Sequence, residues 1–111
     1  MKPNRTEPIR IKSDSFKHWI VKSVLIYELE KMGHRVEVEE YIPGVGFCDL
    51  VDKTVGIQYE VDGFHTPKYR NEKAKKYLRP GIRDVIVIPI FKLSNDINEI
   101  RSYVAQYIVA D

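Results

Sequence analysis

The chain of 111 residues contains one cysteine, Cys48, and no apolar run close to the roughly 20 residues that a membrane-spanning helix needs. A single cysteine excludes an intramolecular disulfide framework and favours a reducing compartment. The first residues, Met-Lys-Pro-Asn-Arg-Thr-Glu-Pro, include no apolar stretch. We therefore expect no signal peptide, no contact with a membrane and a cytoplasmic location.

Several motifs of known chemistry are also missing from the sequence. It has no glycine-rich phosphate loop, no nucleophile elbow and no cluster of zinc ligands, which argues against a nucleotide cofactor. Hydrophobic residues make up 43% and charged residues 31%, the balance of a globular domain. We expect a flexible basic arm over residues 1–12 and one domain over 13–111. Glutamine occurs only twice while Glu, Lys and Ile are plentiful, a pattern that thermophile proteins share and that chance also gives in a short chain.

Charge is distributed unevenly along the chain, although the net charge is only +2. Residues 28–62 carry three basic and nine acidic side chains, which sum to −6. Residues 63–83 carry seven basic and one acidic side chain, which sum to +6. An acidic middle followed by a basic segment could hold a cation and attract phosphates, and solvated surface charge is the alternative.

Hydrophobic periodicity and turn residues predict three helices and four strands. The helices are expected at residues 13 or 14 to about 32, at 68 to about 79, and after a cap at 94 or 95. The strands are expected at 35–41, in both arms of a hairpin within 44–63, and at 85–88. This order, αβββαβα, predicts an α/β fold with a mixed four-stranded sheet flanked by helices. The second helix would form a parallel crossover.

The hairpin holds three carboxylates, Asp49, Glu60 and Asp62, within apolar sequence, where an unpaired charge is costly. A two-residue turn at 53–54 would put Asp49 opposite Gln58 and place all three carboxylates with Gln58 on one face. The opposite face would then be wholly apolar: Cys48, Leu50, Val55, Ile57, Tyr59 and Val61.

Asp49 and Glu60 are the leading candidates for a metal site, because Mg²⁺ takes one or two carboxylates plus water molecules. Exposure at a sheet edge or pairing with lysines is the alternative. Asp62 could add a third oxygen ligand or orient a water molecule or His65, or it could simply form the turn before Gly63. His65 could transfer a proton or contact a phosphate, or it could be a bystander in a loop.

The second helix is the candidate nucleic-acid-binding element, because six of its side chains are basic. Four fall roughly on one side at 3.6 residues per turn, and a solvated face is the alternative. Its Tyr69 and Tyr77 could stack on bases or pack on the sheet. In the first helix, His18, Lys22 and Glu28 could point toward the carboxylates. The candidate phosphate contacts are Lys68, Arg70, Lys73, Lys75, Lys76 and Arg79.

Asp49, a hairpin, the run Glu60-Val-Asp-Gly-Phe-His65, a basic helix and the strand Asp84–Ile88 together resemble the PD-(D/E)XK nuclease superfamily. The Glu-Val-Asp-Gly run followed by a histidine is similar to its very-short-patch repair endonuclease-like branch. The resemblance covers residues 14 to about 90 and implies a restriction-endonuclease-like core. Asp62 stands where the superfamily has a lysine, and Lys22 stands where the first helix often has a glutamate.

The resemblance implies that Asp49, Glu60 and the Val61 carbonyl hold Mg²⁺ or Mn²⁺. The metal would activate water for attack on a DNA phosphodiester. His65, Lys22 or a lysine of the basic helix would supply the charge or proton transfer of the replaced lysine. The implied catalytic residues are Asp49, Glu60, Asp62, His65 and Lys22.

The implied function is that of a metal-dependent DNA endonuclease acting on branched or mismatched duplex. A homodimer is expected, because cutting both strands takes two sites and two-fold symmetry is the commonest solution. The alternatives are a catalytically inactive nuclease-fold module that binds nucleic acid, and a protein-interaction module that docks through the basic helix.

Overall fold

The computed structural model describes residues 13–63 and 66–109. The expected basic arm over 1–12 and His65 lie outside these residues. Within them the chain forms three helices and six strands. In chain order these are α1 (Ser13–Lys31), β1 (Val36–Val38), β2 (Tyr41–Ile42), β3 (Gly46–Phe47), β4 (Leu50–Asp52), β5 (Ile57–Asp62), α2 (Pro67–Tyr77), β6 (Asp84–Pro89) and α3 (Ile97–Ala105).

Four of the strands form one mixed sheet in the order β1-β4-β5-β6. β4 pairs antiparallel with both β1 and β5, and β5 pairs parallel with β6, to which α2 connects it. The expected α/β class, the mixed four-stranded sheet with its flanking helices and the parallel crossover are therefore confirmed. The other two strands, β2 and β3, form a separate antiparallel ribbon that the sequence did not lead us to expect.

The ribbon is the outer part of one long, bent hairpin. Val38 lies opposite Leu50 in the sheet, and Tyr41 lies opposite Phe47 in the ribbon, so one pairing register runs through both. The bend falls at Glu39, whose φ of 53° is a left-handed conformation that non-glycine residues seldom adopt. The single strand expected over 35–41 is therefore divided in two.

The turn between β4 and β5 differs from the expected one. Asp52 pairs with Ile57, so the turn spans four residues, 53–56, and not two. Lys-Thr is a poor two-residue turn, whereas Gly56 adopts a φ of 75° and donates its N–H to the Asp52 carbonyl at 2.9 Å.

The longer turn shifts the register by two residues. Leu50 lies opposite Tyr59, so Asp49 comes opposite Glu60 and not opposite Gln58 as predicted. Since side chains alternate with a period of two, a shift of two keeps them on their predicted faces.

The sheet has a helix layer on each side. Residues from β4, β5 and β6 pack against α1 and α3 in the larger core: Val21, Val24, Leu25, Leu29, Leu50, Ile57, Tyr59, Val61, Ile88, Ile90, Ile100 and Val104. The smaller core lies between the other face and α2: Ile42, Cys48, Val51, Tyr77 and Val85. Cys48 was expected on the face of Leu50, and that prediction is wrong, because the chain bends between Cys48 and β4.

The helix ends follow capping rules. Thr66 caps α2 by accepting a hydrogen bond from the Tyr69 N–H at 3.2 Å, and Pro67 begins the helix. The helix ends at Tyr77, two residues before the expected Arg79, because a residue before proline is disfavoured in the α conformation. Asp96 caps α3 in place of the expected Ser94 or Asn95. No helix of the described chain has the length and apolar character needed to cross a membrane.

Candidate active site

Asp49 and Glu60 lie side by side on neighbouring strands, and each carboxylate is held by the backbone of the other strand. Glu60 Oε2 accepts a hydrogen bond from the Asp49 N–H at 2.8 Å, and Asp49 Oδ2 accepts one from the Val61 N–H at 2.6 Å. The four-residue turn makes this possible, because it brings residues 49 and 60 directly opposite each other. The two carboxylates are thereby fixed in a reciprocal arrangement.

Asp49 lies at the bend of the long hairpin, and this position leaves its side chain partly exposed. Asp49 precedes β4 at the point where the chain leaves the sheet, and its carbonyl accepts a hydrogen bond from the Glu39 N–H at 3.0 Å. The Asp49 side chain is 19% exposed, whereas that of Glu60 is 3% exposed. One carboxylate therefore faces the surface and the other the interior.

Burial and the neighbouring charge of Asp49 raise the pKa of Glu60 to about 7. Glu60 accepts hydrogen bonds from the Asp49 N–H and from Gln58 Nε2, the latter at 3.0 Å. Both lower the pKa of Glu60, but by less than burial and the charge of Asp49 raise it. A buried carboxylate beside a like charge is stabilised by a proton or by a cation. Glu60 therefore carries a proton in part of the molecules near neutral pH.

The pKa of Asp49 is lowered, in contrast to that of Glu60. Burial alone would raise it, but hydrogen bonds from His18 and the Val61 N–H and the charges of His18 and Lys22 together hold the pKa below its ordinary value. His18 Nε2 lies 3.1 Å from Asp49 Oδ1. Lys22 Nζ lies 2.7 Å from Glu39 Oε2, and the Lys22 side chain is 12% exposed. Of the three residues of α1 expected near the carboxylates, His18 contacts Asp49, and Lys22 contacts Glu39 beside it.

Helix α2 supplies a cation to each of the two buried carboxylates on β5. Lys73 Nζ lies 3.9 Å from Glu60 Oε1, and Arg70 Nη1 lies 3.7 Å from Asp62 Oδ2. Asp62 is 4% exposed. Asp62 was a candidate ligand, and here Arg70 is one of its basic neighbours.

Arg79, which follows α2 in the chain, contacts Gln58 on the face of β5 that bears Glu60. Its Nη1 donates to Gln58 Oε1 at 2.6 Å and to the Tyr77 carbonyl at 2.7 Å, and Gln58 is fully buried. Because α2 ends at Tyr77, Arg79 is not part of the helical basic face predicted from 3.6 residues per turn. Tyr77 is buried, and its hydroxyl donates to the Phe47 carbonyl at 3.1 Å. The Tyr77 ring therefore packs between α2 and the sheet.

The candidate nucleic-acid-binding residues are therefore divided into two groups. Arg70, Lys73 and Arg79 turn inward to the carboxylates and Gln58. Three lysines of α2 stay exposed: Lys68, Lys75 and Lys76. Glu28 does not approach the site and instead contacts Lys31 and Arg101.

Two features of the site were missed in the sequence. The sequence did not indicate Glu39 as a site residue. Its contacts with Lys22 and the Asp49 carbonyl depend on a bend that the predicted single strand over 35–41 does not contain. The exposed ribbon bearing Tyr41 and Phe47 could have been found, since two glycines between flanking aromatic residues are typical of a hairpin.

The carboxylate pair offers two oxygen atoms to a metal ion. The backbone holds Asp49 Oδ2 and Glu60 Oε2, while Asp49 Oδ1 and Glu60 Oε1 face basic side chains. Oxygen donors of this kind suit Mg²⁺ or Mn²⁺, which complete their coordination with water. Val61 contacts Asp49 through its N–H. Over residues 13–63 and 66–109, no group of three or more His, Cys, Asp and Glu side chains is arranged to hold a metal.

Comparison of the chain with protein-family models, with curated proteins and with solved structures found no match. The restriction-endonuclease-like core and the nuclease activity implied by the resemblance therefore stay predictions, and their support comes from the residues of the site.

Proposed function

We propose that this protein is a metal-dependent DNA endonuclease that hydrolyses phosphodiester bonds. The observation that carries the proposal is the reciprocal pair of Asp49 and Glu60, in which burial and like charge raise the pKa of Glu60 to about 7. Two carboxylates held this close repel each other when both are charged, and a divalent cation would remove that cost.

In this proposal Asp49 and Glu60, with the Val61 carbonyl, hold Mg²⁺ or Mn²⁺. When bound, the metal supplies Lewis-acid activation of water and offsets charge on the scissile phosphate. Lys73 and His18 lie beside the two carboxylates and would be close enough to offset the charge of a phosphate bound at the pair. Lys22 or His65 would provide the proton transfer or positive charge of the lysine that Asp62 replaces.

Three exposed lysines of α2 support DNA as the substrate. Lys68, Lys75 and Lys76 lie on the helix whose inner side contacts the carboxylates through Lys73. Exposed lysines beside a candidate metal site can hold phosphates close to it. Branched or mismatched duplex is the substrate class that the resemblance favours.

A specific observation favours a second function, that of a catalytically inactive module that binds nucleic acid or protein. Asp62 occupies the position of the superfamily's lysine, and the nearby Arg70 offsets its charge, so that the pair adds no net positive charge at this point. A fold that had lost catalysis would retain the basic helix as a binding surface.

One assay separates the two functions. Purified protein is incubated with supercoiled, linear and branched DNA in Mg²⁺, Mn²⁺ or EDTA, and products are resolved on gels. Asp49→Asn keeps an acceptor for the Val61 N–H but removes the charge, and the exposed Asp84→Asn serves as a matched control. Cleavage by the wild type and by Asp84→Asn, but not by Asp49→Asn, is the expected result.

Each of the other outcomes contradicts part of the proposal. Binding without cleavage in any metal would support the inactive nucleic-acid-binding module, and neither binding nor cleavage would support a protein-interaction role. Cleavage that survives Asp49→Asn would place the catalytic residues elsewhere.

A homodimer completes the proposal, because cutting both strands takes two sites. The chain has a mass of 13.0 kDa. Light scattering with and without DNA should show a mass of two chains, and a monomer under both conditions would remove this part of the proposal.

A further inference from the structure

The β2–β3 ribbon presents an exposed pair of aromatic rings. Tyr41 and Phe47 are directly paired across the ribbon, which puts their side chains on one face. Their ring centroids lie 5.2 Å apart in an edge-to-face arrangement, and the side chains are 58% and 68% exposed. Large aromatic rings left this open on a surface favour a binding role.

The opposite face of the ribbon anchors it to the domain. Ile42 is buried in the smaller core with Cys48 and Tyr77, and the Tyr77 hydroxyl donates to the Phe47 carbonyl at 3.1 Å. The aromatic pair is therefore fixed in position by contacts with α2. A platform that is already ordered loses little entropy when a flat ligand stacks on it.

The ribbon is also joined by hydrogen bonds to the candidate active site. The Cys48 N–H donates to the Glu40 carbonyl, and the Glu39 N–H donates to the Asp49 carbonyl, both at 3.0 Å. These bonds continue the ladder of the ribbon as far as Asp49. Phe47 is two residues from Asp49, which is about 7 Å along an extended chain.

Charge on the neighbouring helix identifies the kind of ligand. Three lysines of α2 stay exposed, Lys68, Lys75 and Lys76, whereas its Arg70 and Lys73 contact carboxylates of β5. Tyr69, on the same helix, is 45% exposed. Aromatic rings beside lysines are the combination by which proteins bind single-stranded nucleic acid, since bases stack on the rings and phosphates pair with the cations.

We propose that Tyr41 and Phe47 form a stacking platform for an unpaired base of a DNA strand whose phosphates follow α2. This inference rests on the proposed function and specifies its substrate class, DNA that contains a single-stranded segment. The base on the platform would hold the adjoining phosphodiester near Asp49 and Glu60.

Binding in EDTA tests the platform without requiring cleavage. The probes are a single-stranded 12-mer containing 2-aminopurine and a blunt 12-base-pair duplex of the same sequence, followed by fluorescence anisotropy and by quenching of the 2-aminopurine. Phe47→Ala and Tyr41→Ala should each weaken single-strand binding about tenfold or more, with less than about a twofold effect on the duplex. Quenching should be lost with the affinity, and Phe47→Trp should restore both.

Tyr27→Ala is the matched control, because Tyr27 is 57% exposed on α1, where its ring lies near Lys31 and Arg101. It should bind both probes like the wild type. Equal loss of single-strand and duplex binding in Phe47→Ala, or no loss at all, would overturn the platform. So would a change in oligomeric state in light scattering, which would assign the aromatic pair to contact between copies of the chain.

The platform and the nuclease proposal can fail separately. Stacking without cleavage in Mg²⁺ or Mn²⁺ would leave the platform standing and remove the nuclease. Cleavage of DNA that contains a single-stranded segment, at a rate that Phe47→Ala does not change, would do the reverse.

Discussion

Gln58 donates its side-chain amide to the Glu60 carboxylate, two residues along the same strand, at 3.0 Å. Arg79 fixes the orientation of this amide: a guanidinium can only donate, so the Gln58 oxygen must face Arg79 and the nitrogen must face Glu60. Gln58 therefore favours the charged form of Glu60. Burial and the charge of Asp49 outweigh it and still raise the pKa of Glu60 to about 7.

Replacement of Glu60 by Gln should stabilise the metal-free protein increasingly as pH rises. The folded-state pKa of Glu60, about 7, exceeds its ordinary value of 4.5, so the folded state binds more protons than the unfolded state between these values. Stability supplied by the protonated form is therefore lost as pH rises from about 4.5 through 7. Denaturant unfolding should show Glu60→Gln close to wild type at pH 5 and about 1 to 3 kcal/mol more stable at pH 8.5.

The exposed Glu72→Gln serves as the control, and its difference from wild type should not vary with pH. A constant difference for Glu60→Gln across this range would contradict the raised pKa. Added Mn²⁺ should stabilise the wild type more at pH 8 than at pH 6, and Glu60→Gln hardly at either pH.

Removal of Lys75 and Lys76 should weaken DNA binding without affecting the fold. Both side chains are exposed, and exposed charges contribute little to stability. If they contact phosphates, the double alanine variant should bind every sequence more weakly, and the slope of log affinity against log salt should become shallower by roughly one to two. A salt titration of anisotropy measures this. Lys31→Ala combined with Lys92→Ala, on other elements, should leave the slope unchanged; an unchanged slope in the α2 variant would show that DNA follows another path.

Gly56 should tolerate alanine less well than Gly33, although both have positive φ. An added Cβ at Gly56 would lie 2.9 Å from the Gly81 carbonyl oxygen, whereas one at Gly33 would meet nothing within 4 Å. Gly33→Ala should cost about 1 to 2 kcal/mol for its left-handed conformation alone, and Gly56→Ala should cost clearly more. Equal losses of unfolding free energy in the two variants would show that the turn at 53–56 moves to relieve the contact.

Asp52 should be a structural carboxylate, in contrast to Asp49. Asp52 is fully buried, lies 2.6 Å from His34 Nδ1 and accepts a hydrogen bond from the Thr54 N–H at 3.0 Å. Asp52→Ala should lower the unfolding free energy by about 2 to 4 kcal/mol, because it removes the partner of the partly buried His34 and of the Thr54 N–H. Asp84→Ala, at an exposed position, should cost less than about 1 kcal/mol. Similar losses in the two variants would refute this role.

Much of the fold could be predicted because the sequence is locally consistent. The order of elements follows from apolar periodicity and turn residues, and the two-faced pattern around Glu60 survives the shift in register because that shift is an even number of residues. The opposition of Asp49 to Glu60 could not be predicted, since it depends on whether the turn contains two residues or four.

The remainder of the site depends on contacts between distant parts of the chain. His18 and Lys73 come from helices on opposite faces of the sheet, and no local pattern says which side chains of a helix will turn inward. The ribbon was missed because the alternation of Val36 and Val38 with Glu37 and Glu39 favoured a single strand, which was extended to Tyr41 although Glu40 breaks the alternation. The left-handed conformation of Glu39, which bends the chain there, has no signature in a residue that is not glycine or asparagine.

The reciprocal hydrogen bonds of Asp49 and Glu60 also bear on the order in which the molecule assembles. These residues are eleven apart in sequence, whereas His18 lies 31 residues before Asp49. Closing a short loop costs less entropy than closing a long one, so the hairpin brings the two carboxylates together before α1 docks. The two carboxylates therefore repel each other early in folding, and the charges of α1 offset this repulsion only when that helix docks. Refolding at pH 8, followed by stopped flow, should therefore accelerate as added salt screens that repulsion, and Glu60→Gln should refold at a rate that salt hardly changes.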